Sequence, residues 1–189
     1  MLLLSPRLSG VPLMSIQTGT RLAVTTEPII DPRKLYIVAF YCDGRTLDIT
    51  PAVIHTSDIR EVSDIGFIID SSDSIMAPGE LVRLREIIDF HFQLLGIAVI
   101  DSHGHKLGSV NDYTVDTTSF MVQKLHVKPP LLRSFSSSEL IVDRSQIVEV
   151  NSKHIVVRAP TVEQRETQSA QQLQPFSNPF RKAAETIKR

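Results

Sequence analysis

The sequence predicts a mainly β protein: two tandem small β-barrels joined by one α-helix, followed by a flexible C-terminal tail. Three observations carry this expectation. Short apolar runs alternate with polar residues at strand spacing through both halves of the chain. The second half repeats the first. Between the halves lies a single stretch with helical periodicity.

The repeat is read from two blocks in the same order. "SGVPLMSIQTGTRLAVTTEPIIDPRKLYIVAFYCD" runs parallel to "LGIAVIDSHGHKLGSVNDYTVDTTSFMVQKLHVK". Gly19 falls on Gly104, Leu22 on Leu107, Ala23 on Gly108 and Asp31 on Asp116. Leu35, Ile37 and Phe40 fall on Phe120, Val122 and Leu125. Further on, "TSDIREVSDIGFIID" runs parallel to "RSQIVEVNSKHIVVR", with Ile59, Val62, Phe67 and Ile69 on Ile147, Val150, Ile155 and Val157. One such match could be chance, whereas two in the same order point to duplication.

The elements follow in order. Val11, Leu13 and Met14 begin a first strand, and Ile97, Val99 and Ile100 its counterpart. Gly19 and Gly104 occupy the hairpin turns that follow, with Gly108 as a third structural glycine. Alternation in "KLYIVAFY" and "SFMVQKLHV" predicts strands with one apolar side, and "ELIVD", "QIVEV" and "HIVVR" are further short strands. Many short strands with close turns suggest small barrels. A half of this length buries little core alone, so the halves pack together or the chain forms a homodimer. In "APGELVRLREIIDFHFQLLG", Leu81, Leu84, Ile88 and Leu95 share a helical face beside Ile87, which predicts a helix from about Pro78 to Gln93, stopped by Gly96. The expected division is 1–76, a linker helix at 77–93, 94–160, and a tail at 161–189.

Composition bounds the function. The chain has 189 residues, 42% hydrophobic and 22% charged, which suits a soluble globule. Its formal net charge of −1 gives no global pull toward nucleic acid or anionic lipid. Cys42 is the single cysteine, so an internal disulfide and a multi-cysteine zinc site are excluded. "MLLLSPRLSG" lacks the basic start and long apolar core of a secretory signal. No stretch approaches the ~20 apolar residues of a membrane span. A cytoplasmic location is the expectation.

The residues "LLGIAVIDSHGHKLGSVNDYTVD" and "QIVEVNSKHIVV" resemble a PRC-barrel. This is the small β-barrel shared by the photosynthetic reaction-centre H subunit and the ribosome maturation factor RimM. Residues 94–158 carry the pattern: an apolar strand ending in Asp, then Gly, then Leu-Gly-x-Val. Residues 8–70 carry it more faintly, with Ala23 where the second copy has Gly108. The resemblance implies a mostly non-enzymatic docking module, of the kind found in RNA processing, membrane-bound complexes and archaeal cell division. No membrane anchor like the one that precedes the barrel in the reaction-centre subunit is expected. A second PRC-like copy stands where RimM carries its N-terminal glycine-rich signature.

Candidate chemistry is sparse, and neither a catalytic residue, a cofactor nor a metal is expected. His103 and His105 flank the turn glycine Gly104, and the other copy has Thr18 and Thr20 there, so the fold does not need histidine. Asp101 and Asp112 could approach, but no spacing enforces a closed ligand set. Cys42 sits beside an acidic Asp-Gly turn that raises rather than lowers a thiol pKa. There is no nucleophile elbow, EF-hand, Walker loop or G-x-G-x-x-G.

Two surfaces remain as partner candidates. Lys124, Lys128 and Arg133 form the best local RNA contact, though sparser than nucleic-acid surfaces usually are. In the tail, Asn178 and Pro179 suit a helix start, Phe176, Phe180 and Ile187 supply anchors, and Arg181, Lys182, Lys188 and Arg189 are cationic. Such a segment suits a partner groove, with Phe176, Pro179, Phe180, Arg181, Lys182 and Ile187 as contacts, or an anionic lipid surface. The expected function is a non-catalytic adaptor docking a protein partner through its barrels and tail. The alternatives are an RNA- or ribosome-associated factor and a membrane-peripheral or cell-division-associated protein.

Overall fold

The alternating apolar runs form strands, and the strands pair in the same sequence twice. The computed structural model describes residues 1–45, 47–130 and 139–158. In the first half, β1 (Leu2–Leu4) is followed by β2 (Pro12–Ser15), β3 (Arg21–Asp31), β4 (Tyr36–Asp43), β5 (Ala52–His55), β6 (Ile59–Ser63) and β7 (Gly66–Ile69). A two-residue strand, β8 (Ile75–Met76), precedes the helix α1 (Val82–Asp89). The second half holds β9 (Ala98–Asp101), β10 (Lys106–Asp116), β11 (Met121–Lys128), β12 (Leu140–Asp143), β13 (Ile147–Val150) and β14 (His154–Val157).

The pairings repeat residue by residue. β2 pairs antiparallel with β3 and parallel with β7, as β9 does with β10 and β14. β4 pairs with β3 and β5, as β11 does with β10 and β12. Ile59 faces Ile69 and Val62 faces Phe67; in the second half Ile147 faces Val157 and Val150 faces Ile155. Loop bonds repeat too: the Gly10 N–H donates to the Thr25 carbonyl at 2.7 Å, and the Gly96 N–H to the Val110 carbonyl at 2.7 Å. The same pattern of strand pairing thus recurs in both halves.

The strands make one sheet, in the order β13-β14-β9-β10-β11-β4-β3-β2-β7-β6. This path is open, so the expected closure of each half into its own hydrogen-bonded barrel is not seen. One reason is local. β5 and β6 are separated by a single 3-10 turn, Thr56–Asp58, and β12 and β13 by another, Arg144–Gln146. Such turns redirect the chain, and β5 pairs instead with β4 and β8.

The halves meet where β4 and β11 pair, through Met121 opposite Tyr36. The Ile37 N–H donates to the Phe120 carbonyl and the Val122 N–H to the Leu35 carbonyl, both at 2.9 Å. These are equivalent positions of the repeat, so the joint has the reciprocity of a two-fold interface. Leu35 (φ 46) and Phe120 (φ 54) both adopt left-handed backbone, a conformation bulky residues keep only where the surroundings impose it. Arg144 locks the joint. Its guanidinium donates to the carbonyls of Leu35 at 3.2 Å, Val122 at 3.0 Å and Lys34.

One core serves both halves. It contains Leu13, Ile37, Phe40, Phe67 and Ile69 from the first, and Val99, Phe120, Leu125, Ile155 and Val157 from the second. Phe120 packs on Phe40 and Phe67, with ring centroids 5.9 Å from each. Full burial of such side chains contributes roughly 1.5–3 kcal/mol each. The chain from Met1 to Ala159 is one compact unit.

The segments preceding each half cross to the other. β1 pairs with β10, Leu3 opposite Val115. The helix α1 lies on the first half, where Leu84 and Ile87 join Ile29, Val38 and Val53 in a second, smaller core. That helix is shorter than the expected span of Pro78 to Gln93. Pro78–Glu80 form a 3-10 turn, and the helix ends at Asp89 because His91 takes left-handed backbone (φ 48). Gly96 does not stop the helix but shapes the entry to β9. Leu95, expected on the buried helical face, is exposed, while Leu94 is buried.

Candidate functional site

A broad concavity lies beside α1. It is an open cleft of about 890 Å³ between the helix, the end of β3, and β4 with the turn after β5. Its floor is apolar, from Val38, Met76, Leu84 and Ile87, and its rim carries both signs of charge, from Asp31, Arg33, Lys34, Glu80, Arg83 and Glu86. The floor exists because the helix covers β3–β5 only in part. The rim is fixed by Asp31, which is buried and receives Arg33 as a two-pronged ion pair at 3.0 and 3.1 Å. The Arg33 guanidinium also sits over the Phe90 ring, 5.7 Å from its centroid.

His55, Ser57 and Asp58 line the same cleft, and their types invite comparison with a hydrolytic triad. Their bonding is that of a helix cap. His55 Nδ1 lies 2.7 Å from Ser57 Oγ and accepts the Ser57 N–H at 3.2 Å. Asp58 is bonded to Ser57 at 3.4 Å and not to the imidazole. A triad needs the imidazole between hydroxyl and carboxylate, so this set has no relay. Cys42 is buried, and burial pushes its thiol up to about 12. A thiol so disposed is not a nucleophile at physiological pH.

The hairpin between β9 and β10 brings Asp101, His103 and His105 together. The Asp101 side chain is nearly buried. Its Oδ1 accepts the backbone N–H groups of His103 and His105, each at 2.8 Å. Its Oδ2 faces both rings, 2.9 Å from His105 Nδ1 and 4.0 Å from His103 Nδ1. Burial pushes the carboxyl up, but the His105 ring and the two N–H donors more than offset this and hold it at about 2. Asp112, weighed as a partner of this cluster, is not part of it: its carboxylate accepts the Ser5 hydroxyl at 2.6 Å and the Tyr113 N–H at 2.7 Å. In the first half Ser15 takes the place of Asp101, its Oγ accepting the Thr18 N–H at 3.2 Å. The chain turns here with Gly104 in left-handed backbone (φ 84), as Gly19 is (φ 67).

Lys124 and Lys128 lie exposed on β11. Lys124 stands in register with Asp143 on β12 and helps lower that carboxyl, after the backbone and side-chain bonds from Ser145. Arg133 and the tail contacts Phe176, Pro179, Phe180, Arg181, Lys182 and Ile187 lie outside the described residues. Among those described, no helix is long and apolar enough to cross a membrane.

The cleft was not anticipated. Leu81, Leu84 and Ile87 signalled a helix with one buried face, but its partial cover of β3–β5 leaves no sequence mark. The cluster at Asp101 had a signal, the D-x-H-G-H spacing, which places two rings on either side of a carboxylate once the turn is tight.

Comparison with known proteins adds little. No protein-family model matches the chain, and no curated protein matches it. Among solved structures, the chain is similar to a 16S ribosomal RNA processing protein, RimM, from Pseudomonas aeruginosa. The two are 17% identical over 84% of this chain and 97% of that one, with a TM-score of 0.29. A likeness at that score supports neither a shared fold nor a shared activity.

Proposed function

We propose that the chain is a non-catalytic adaptor, built from two tandem PRC-barrel-like halves fused into one body, which docks a protein segment. The observation that carries this reading is the cleft beside α1. An apolar floor with a rim of mixed charge suits an amphipathic peptide, with anchors below and ion pairs at the edge. The cleft holds no relay of nucleophile, base and orienting acid, and Cys42 is unsuited to covalent chemistry. The tail at 161–189 is then a second recruiting arm, consistent with its composition. The RNA- or ribosome-associated alternative rests on Lys124, Lys128 and Arg133, and the pairing of Lys124 with Asp143 subtracts from it. The membrane-peripheral alternative rests on the tail alone.

The test is affinity capture with the full chain, the chain ending at Pro160, and the full chain carrying Val82→Glu and Arg83→Glu. Both substituted side chains are exposed on the cleft rim, so the fold is retained. The adaptor reading expects a protein partner whose capture is lost with the rim substitutions. Recovery of ribosomal components by all three would replace it with the RNA-associated reading.

A further inference from the structure

We propose that the β9–β10 hairpin binds one divalent transition-metal ion of the zinc, nickel or copper class through Asp101, His103 and His105. The ligand atoms of these three side chains lie within 4.8 Å of one another. Tetrahedral coordination with metal–ligand bonds of ~2.0–2.1 Å places ligand atoms roughly 3.3 Å apart. The two separations from Asp101 Oδ2, 2.9 Å to His105 Nδ1 and 4.0 Å to His103 Nδ1, bracket that value. Small rotations of two exposed rings close the difference.

The carboxylate is already held in place. Its Oδ1 is tied down by two backbone N–H groups, which leaves Oδ2 aimed between the rings. The rings are 75% and 76% exposed, so the ion has an entry path and water completes its coordination. Two imidazoles and one carboxylate, without thiolate, select borderline ions over calcium or magnesium. The equivalent hairpin shows that the imidazoles are not needed for the turn. There Ser15 holds the Thr18 N–H, and the hydroxyls of Thr18 and Thr20 bond each other at 2.8 Å. The spacing in the sequence did not by itself enforce ligand convergence here. The geometry supplies it, because the turn folds both histidines back over the strand-ending aspartate.

The experiment is a titration of the full chain with zinc chloride, followed by calorimetry and by imidazole resonances. The expected result is one saturable site, with the signals of His103 and His105 shifting and those of His55, His91, His126 and His154 unmoved. Loss of an outer-shell partner costs about 10–100-fold in metal affinity, so His103→Ala and His105→Ala should each weaken binding at least about tenfold. Both rings are solvent-exposed, so these variants fold; His126→Ala, which alters an imidazole outside the cluster, should leave affinity unchanged. The proposal fails if no saturable binding is seen, or if the His103→Ala/His105→Ala double variant binds zinc as the parent does. It fails equally if all six imidazoles respond alike.

Discussion

Single residues decide how closely the strands of each half approach. At Gly108 a β-carbon would run into the Lys128 carbonyl oxygen and the Val127 side chain. The first half has Ala23 at this position, and there the space is made just past the end of β4: a β-carbon at Gly44 would meet the Leu22 carbonyl and Ala23. The close approach recurs in both halves, while the glycine that permits it sits at a different position. Gly108→Ala should therefore destabilise the protein by about 1–3 kcal/mol, the usual range for overpacking, read as a lower urea midpoint at constant slope. An equal midpoint would mean that β10 and β11 move apart freely. Asp101 gives a pH prediction. Its folded carboxyl lies at about 2, below the ordinary ~3.9 of an unfolded aspartate. A depressed folded value stabilises the protein above the unfolded pKa and is lost as pH falls through the folded one. In chelator, stability should decline between about pH 4 and pH 2, and Asp101→Asn should flatten that decline. Cys42, buried and raised to about 12, should resist thiol reagents in the native protein and react fully in denaturant.

At the scale of elements, the repeat was legible and its joint was not. Pairs matched by sequence alone, such as Ile59 with Ile147 and Phe67 with Ile155, have the same burial and the same cross-strand partners. Leu35 and Phe120 were matched as well, but nothing in their types shows that each bonds the other's neighbour across β4 and β11. Nor could alternation reveal β1, because three consecutive leucines carry no period and their partner strand is more than a hundred residues away. The end of α1 was misplaced for a physical reason: glycine is the usual left-handed terminator, whereas here His91 takes that conformation. The outer faces show the same logic of cover. Val53 lies under α1 and is fully buried, while its counterpart Ile141, which α1 does not cover, is 53% exposed. Arg144 tests the joint. Arg144→Ala removes a charged donor from three carbonyls, of which that of Leu35 still accepts the Val122 N–H, and a hydrogen bond to a charged group is worth about 1.5–3 kcal/mol. A loss in that range, measured by denaturant titration, is expected; a change under about 0.5 kcal/mol, the size of ordinary surface effects, would show that water replaces the guanidinium.

The whole molecule behaves as one cooperative unit if its core is as continuous as its sheet. Phe120 is supplied by the second half, yet it packs against both Phe40 and Phe67 of the first, at 72° and 86° to their rings, and those two also touch each other. Edge-to-face contacts of this kind add about 0.5–1.5 kcal/mol beyond area burial. β1 crosses one way and α1 the other, so neither half keeps its own covering segment. Separate domains would melt in two steps, with a mutation in one leaving the other unchanged. A shared core predicts a single calorimetric transition whose van't Hoff and calorimetric enthalpies agree. Phe120→Ala removes a ring from the junction and should cost about 3–5 kcal/mol. Both halves should lose it together, so that amides of β2 and β7 exchange hydrogen faster in step with those of β9 and β14. Acceleration confined to β9 and β14 would mean that the halves unfold independently, and that the continuous sheet joins two cores.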